Sequence, residues 1–301
     1  VSDTAARATL TRRAAIASVS SATILLFLKA YAVRATGSVA MLGSLADTGL
    51  DLLSSLVTLY AVWLAAQPAD ADHRFGHGKA EAIAALMQTL VILGSAVAIG
   101  ARAVMELGSR TAPTNPGIGI GISLGAAAMT LVLVGYQGYV VRATGSIAIG
   151  TDQIHYQSDL FLNLAVVVAF ALDAYAGVRG ADAVFGIGIA LYLAYGAVTS
   201  ARSAVDMLMD REWPETKRQT LLAVVARHPR VDGVHELRTR SSGVTDFIQF
   251  HVWLAPEMTV ACAHAIVDEI EADVASAFPG AEILIHVDPL GHYDRPQILG
   301  A

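Results

Sequence analysis

Six blocks of apolar sequence, each long enough to cross a bilayer, constrain this chain more than any other feature. They run over 14–33, 38–66, 80–107, 117–141, 146–176 and 181–205, and a spanning helix needs about 20 mostly apolar residues. Lipid offers no hydrogen bonds to the backbone, so such blocks are expected to be helices. Composition agrees: 54% of the residues are hydrophobic, 15% are charged, and the mean hydropathy is +0.54, values of the membrane class. From Glu212 onward the apolar density falls to that of an ordinary soluble protein. The expected organisation is a transmembrane domain over 1–211, a soluble domain over 212–292 and a short tail over 293–301.

Charge and cysteine content narrow the function. A net charge of -6 with scattered arginines gives no basic footprint, which argues against nucleic acid as a partner. Cys262 is the single cysteine, so there is no intramolecular disulfide and no Cys-rich metal framework, and it is expected to be a small buried thiol. Six spans put both ends of the chain on one side of the membrane. Arg7, Arg12, Arg13, Arg74, Lys79, Arg142, Arg211, Lys217 and Arg218 fall on that side, against Lys29, Arg34, Arg102, Arg110 and Arg179 on the other. The excess of positive charge marks the side of the termini as cytoplasmic. The first block is too long for the apolar core of a signal peptide and reads as a retained helix.

An internal repeat then singles out four polar residues. VRATGSVA at 33–40 recurs as VRATGSIA at 141–148, displaced by 108 residues, and the same offset carries Asp47 onto His155 and Asp51 onto Asp159. Each half holds three spans, an odd number, so the second copy enters the membrane from the opposite face: an inverted 3+3 repeat, whose site is expected near the midplane. Asp47 and His155 each lie about nine residues past the serine of their repeat, roughly 14 Å along a helix, close to the middle of a hydrocarbon core about 30 Å thick. Within each pair the i, i+4 spacing stacks the side chains on one helix face. Two helices crossing there would gather three carboxylates and one imidazole, a donor set that suits a tetrahedral divalent ion such as zinc.

The competing reading makes Asp47 and Asp51 caps or loop residues, with the helix starting later. Only fifteen residues, 52–66, would then remain for the second span, short of a crossing. For the fifth span 160–176 could nearly cross alone, so there the competing reading stands better. An unpaired acid at bilayer centre costs at least about 2.5–3.5 kcal/mol, which is why such residues usually mark an ion or proton path.

DTGLD in the second span, HYQSD in the fifth and DHRFGHGKAE after the second resemble the cation diffusion facilitator transporters, in particular the bacterial branch of the zinc and ferrous-iron efflux type. The resemblance implies a homodimeric divalent-metal/proton antiporter of the bacterial cytoplasmic (inner) membrane, exporting zinc by alternating access with protons as counter-ion. Cadmium, ferrous iron, manganese and cobalt are the alternative cargoes. It implies a transport site of Asp47, Asp51, His155 and Asp159, and a second metal site in the loop at Asp70, His73 and His77. His73 and His77 would share a face if that segment were helical, and Asp72 competes as a ligand. Lys79 and Asp210 resemble a charge pair that the family uses near its dimer interface.

Beyond the membrane domain the pattern reads helix, strand, strand, helix, strand. PETKRQTLLAVVARHP and MTVACAHAIVDEIEADVASAF carry helical spacing, whereas VHELRTRS, DFIQFHVWL and EILIHV read as strands. This small α/β sandwich resembles the family's ferredoxin-like cytoplasmic domain. Spacing alone shows no zinc-finger pattern there, and lone strand histidines are more often surface residues. The resemblance nevertheless implies a binuclear metal site at His235, His251, His264, His286 and Asp288, with Asp288 as the bridging carboxylate. His228 and His292 match no known role. An enzyme is not expected: a zinc protease wants HExxH, and the chain offers only HEL at 235–237 in a strand. The alternative function is a membrane metal sensor that does not transport.

Overall fold

The computed structural model describes residues 2–36, 39–106, 116–172, 181–243 and 245–292. Arg110, Arg179, Gly37 and Ser38 of the first ATGS copy and the 293–301 tail lie outside the described residues. Two compact units emerge, one spanning Ala6–Asp206 and the other taking in the residues before Ala6 together with those from Met207 onward.

The first unit is built from α1 (Ser2–Thr36), α2 (Val39–Ala65), α3 (Ala80–Glu106), α4 (Pro116–Thr144), α5 (Ile147–Ala171) and α6 (Ala181–Leu208). Small residues bring these helices together, as expected where lipid is the surrounding solvent. Ala14, Ala15, Val62, Val140, Ala148 and Ile149 form one buried cluster joining α1, α2, α4 and α5. Ile92, Ala96, Ala165, Ile189, Leu193 and Ala197 form another between α3, α5 and α6. Large apolar side chains point the other way: Phe27, Leu90, Val97 and Val132 are each at least 70% exposed, an arrangement that suits an acyl-chain environment.

Among the described residues five helices are long and apolar enough to cross a membrane, within α1, α2, α3, α4 and α6. The count of six is therefore not established. The missing span is α5, a helix of 25 residues whose apolar character is diluted by Asp152, Gln153, His155, Gln157, Ser158, Asp159 and Asn163.

In the second copy of the repeat, the ATGS residues make a sharp helix-to-helix corner. Gly145 adopts φ +71° and its amide bonds to the Val141 carbonyl at 2.8 Å, ending α4 in the left-handed conformation that glycine adopts without strain. Ser146 then starts α5 by accepting the Ile149 amide at 3.3 Å on its hydroxyl, the usual role of serine at an N-cap. Glu81, at the head of α3 and only 6% exposed, adds a second cap: the Ser146 hydroxyl donates to it at 2.5 Å, and the amides of Ala148 and Ile147 also bond to it. A carboxylate here suits the positive end of the helix dipole. These contacts fix the start of α5, and hence the depth of the polar residues it carries.

The second unit holds α7 (Glu215–Val225), β1 (Gly233–Ser241), β2 (Asp246–Leu254), α8 (Val260–Ala277) and β3 (Glu282–Pro289). The sheet order is β1-β2-β3, β1 antiparallel to β2 and β2 parallel to β3. The parallel pair requires the crossover that α8 provides. Along β2 the period-two pattern sends Ile248, Phe250, Val252 and Leu254 into the core, where Ile266, Ile270 and Val274 of α8 meet them. His251 belongs to the other phase of that alternation. Thr259 caps α8 by accepting the Cys262 amide at 3.3 Å. That position leaves Cys262 exposed, which corrects the expectation of a buried thiol.

His228 also finds a role. Its Nε2 lies 2.9 Å from Glu269 Oε2, and Arg230 donates to both oxygens of the same carboxylate at 3.0 Å. The hydrogen bond from His228, followed by those of Arg230, holds the Glu269 carboxyl below its ordinary value. A carboxylate depressed in the folded state stabilises it above the unfolded value of about 4.3, and this contribution is lost as pH falls through the folded one. Glu269→Gln is therefore expected to flatten the acid-side loss of stability of this domain. Thermal unfolding followed by tryptophan fluorescence at a series of pH values below about 5 checks it.

Candidate metal centres

Among the described residues the structure gathers three groups of potential metal ligands, one in the membrane unit, one in the loop after α2 and one on the sheet of the second unit. In the first, Asp51 on α2 meets His155 and Asp159 on α5. His155 Nε2 lies 2.9 Å from Asp51 Oδ1 and 3.9 Å from Asp159 Oδ2, and the three ligand atoms all fall within 4.8 Å of one another. Asp51 lies twelve residues into a helix that starts at Val39, so the acids of this span are neither caps nor loop residues. Asp47 lies one turn earlier, exposed and outside the three-residue group. Three of the four residues singled out by the repeat are thus assembled, and the fourth lies one helical turn away.

Beneath this group is a polar layer that sequence reading left out. Asp152, fully buried one turn before His155, accepts from Gln88 Nε2 at 2.8 Å on one oxygen and from Gln137 Nε2 at 2.8 Å on the other. Tyr156 Oη lies 2.9 Å from the Ser55 hydroxyl and donates to the Ser18 carbonyl at 3.3 Å. Each bond joins different helices, so α1, α2, α3 and α4 all fix the rotation of α5. Asp152 was visible in TDQIHYQSD, but its offset partner in the first repeat is Ser44, and the repeat therefore gave no signal.

The loop group arises differently from the expected helical face, because residues 66–79 form turns. Asp70 Oδ1 accepts the amides of His73 at 2.6 Å and Asp72 at 2.9 Å, an Asx turn. The same carboxylate meets His73 Nδ1 at 3.2 Å and His77 Nε2 at 3.3 Å. The His73 amide bond, with that of Asp72, keeps the Asp70 carboxyl below its ordinary value. Asp72 thus contributes its backbone to this arrangement. His77 Nδ1 is buried without a hydrogen-bond partner.

On the sheet, strand register assembles the third group. His235 pairs with His251 and His251 with His286, so three imidazoles stand in one cross-strand row on the face opposite the core. Asp288 Oδ2 lies 3.1 Å from His235 Nε2 and 2.9 Å from His251 Nδ1, while its Oδ1 lies 3.4 Å from His286 Nε2. Burial pushes the Asp288 carboxyl up, but the His251 hydrogen bond and the nearby imidazoles outweigh it and hold the group below its ordinary value. A carboxylate sharing both oxygens among three imidazoles is a donor set that fits a divalent metal. His235 Nδ1 is a further buried nitrogen without a partner. His264 stands apart on α8, 72% exposed at its side chain and 3.1 Å from Asp268. Asp210 accepts from Arg240 at 3.2 Å, and His292 offers its carbonyl to Trp253 Nε1 at 3.2 Å.

Comparison with known proteins follows these boundaries. Residues 15–209 match the cation efflux transmembrane domain, and residues 213–290 match the cytoplasmic domain of cation efflux proteins. The cation-efflux pump FieF of Escherichia coli is 42% identical over 280 residues, covering 93% of this chain and 93% of that protein; FieF of Salmonella typhimurium gives the same figures. Among solved structures, the metal-bound C-terminal domain of the CzcD transporter from Thermotoga maritima is 28% identical, covers 27% of this chain and 100% of its own, and has a TM-score of 0.26. The cytosolic domain of a cation diffusion facilitator family protein is 30% identical over 27% of this chain and 100% of its own, with a TM-score of 0.25.

Proposed function

We propose, from the premise that this chain belongs to the cation efflux family, that it exports zinc from the cytoplasm in exchange for protons. The observation that carries this reading is the group Asp51, His155 and Asp159, set within helices whose outer surfaces are apolar. Such a group has no use in a soluble-domain sensor and is costly to keep in lipid without a function.

The cytoplasm-facing state binds the divalent ion through Asp51, His155 and Asp159, with Asp47 completing the set. Rocking of the helices exposes the ion to the other side. There protons compete for the same atoms, because metal binding requires carboxylates deprotonated and the imidazole neutral. His155 is the natural exchanger, since an ordinary imidazole titrates near 6.5. The inward proton gradient drives the cycle. Six spans in an inverted repeat, both termini in the cytoplasm and a bacterial inner membrane complete the proposal. Cadmium, ferrous iron, manganese and cobalt remain alternative cargoes, because carboxylate–imidazole sites do not by themselves order these ions.

The loop group of Asp70, His73 and His77 is assigned as an accessory metal site. In the soluble domain His235, His251, His264, His286 and Asp288 would hold a binuclear site of resident divalent ions, with Asp288 as the bridging carboxylate, which would cross-link the strands; His264, outside the observed cluster, is the member of that set with the least support. The protein works as a homodimer, with Lys79 and Asp210 as a charge pair near its interface. A non-transporting sensor is the second reading.

Growth separates the two. In a bacterial host stripped of its own zinc exporters, the wild type is expected to lower cell zinc and restore growth at high zinc, and His155→Ala to do neither. A wild type that reaches the membrane, binds zinc and leaves cell zinc unchanged favours the sensor.

A further inference from the structure

One cation in the membrane unit is not used by the mechanism above. Lys29 interrupts the apolar run LLFLKAYAV of α1, about seven residues and roughly 10 Å inside the end of that helix. Lysines near a helix end usually extend their ammonium outward to the interface. This one turns inward instead. Its Nζ donates to Thr48 Oγ1 at 2.6 Å and to the Ser44 carbonyl at 3.3 Å, both on α2. Thr48 is itself 2% exposed and bonds the same Ser44 carbonyl at 3.2 Å.

Both acceptors are neutral, so these hydrogen bonds orient the ammonium without cancelling its charge. Asp51 of the transport site lies on the same helix as both acceptors. Ser44, Thr48, Asp51 and Ser55 fall at helical spacing on one stripe of α2, which places Asp51 one turn beyond the tethered ammonium. Asp47 directly precedes Thr48 in sequence. A monovalent cation is thus tethered to α2 one turn from Asp51, which with Asp159 supplies the two carboxylates of the observed group, a group most negative when no metal is present.

We propose that Lys29 is a resident counter-cation of the transport site, compensating its carboxylates when the site is empty and repelling the divalent ion when it is full. The tethered ammonium weakens metal binding on purpose, so that the ion leaves once the site has opened. This inference rests on the transport-site reading given above. It makes Lys29 an affinity-setting residue and not a ligand.

The test is zinc binding to the purified full-length protein, with the transport-site component defined as the part lost when Asp51→Ala is added to each background. Lys29→Gln keeps a hydrogen bond to Thr48 and removes the charge. It is expected to bind zinc at least ~10-fold more tightly, the lower bound for removing one charge about a helical turn from a divalent ion under water-like screening. Reconstituted into vesicles, it should lower the KM for zinc and the maximal rate together. Lys29→Met should repeat the gain in affinity, and Lys29→Arg should stay close to the wild type. Loss of a mere helix-to-helix tie would weaken binding, so the direction of the change separates the two roles. Unchanged or weaker Asp51-dependent binding in Lys29→Gln and Lys29→Met overturns the inference. So does failure of both neutral variants to assemble while Lys29→Arg is intact, since that assigns the lysine to structure. A wild type without any Asp51-dependent binding defeats the transport-site reading itself, which is a different result.

Discussion

Asp51→Ala is expected to abolish zinc binding in the membrane unit, lowering affinity there by at least ~100-fold, the upper range for losing even an outer-shell partner of a metal ligand. Asp51 is placed closer than that. Its Oδ1 lies 2.9 Å from His155 Nε2, and it is the one residue through which α2 joins the two ligands of α5 in the observed group. Removing it also leaves a 5% exposed imidazole without its acceptor, a further cost of about 1–3 kcal/mol. Zinc titration of the full-length protein should show one class of site missing, with the class belonging to the soluble domain retained. Unchanged binding stoichiometry would count against the membrane site.

The largest stability effect is expected from Phe250→Ala. Phe250 is 1% exposed at the centre of the soluble domain's core, on the middle strand, with Ile248, Leu254, Ile266 and Ile270 in the same cluster. Truncating a buried phenylalanine costs about 3–5 kcal/mol, because transfer energy is lost and a cavity remains. A domain with about 5–15 kcal/mol of total stability loses much of it. Melting of the soluble domain should fall by ten degrees or more, on the scale of about 4–8 °C per kcal/mol for a domain of this size. Differential scanning calorimetry reads it directly, and a shift of only a degree or two would contradict the core assignment.

How much of this was legible beforehand depends on the range of the forces involved. Apolar runs and helical spacing are local, so the helices and the helix–strand–strand–helix–strand order were readable from the residues themselves. The duplicated ATGS sequence aligned Asp51 with Asp159 and Asp47 with His155 by counting alone, and the structure brings three of those four together. The loop group was readable as composition but not as geometry: an Asx turn at Asp70, and not a helical face, sets His73 and His77 against one carboxylate. The soluble-domain row His235–His251–His286 depends on strand register, a tertiary quantity that no single strand displays. Asp152, with its two glutamine donors from other helices, and Glu81, capping α5 across 65 residues of sequence, were equally hidden. Cys262 was misread because free cysteines are usually buried, whereas here the first turn of α8 sets it facing outward.

These layers converge on one chain of causes. Gly145 and Ser146 set where α5 begins, Glu81 pins that start, and Asp152 with Tyr156 fixes its rotation. His155 and Asp159 consequently face Asp51. The proposal adds that this junction exchanges zinc for protons.

The measurement that tests this most directly is zinc uptake by proteoliposomes under an imposed pH gradient, with internal pH followed in the same vesicles and Asp51→Ala run alongside. The account predicts zinc moving one way while protons move the other in the wild type, and both fluxes absent in Asp51→Ala. Zinc flux in the wild type with no accompanying proton movement, or fluxes that survive Asp51→Ala, would contradict it.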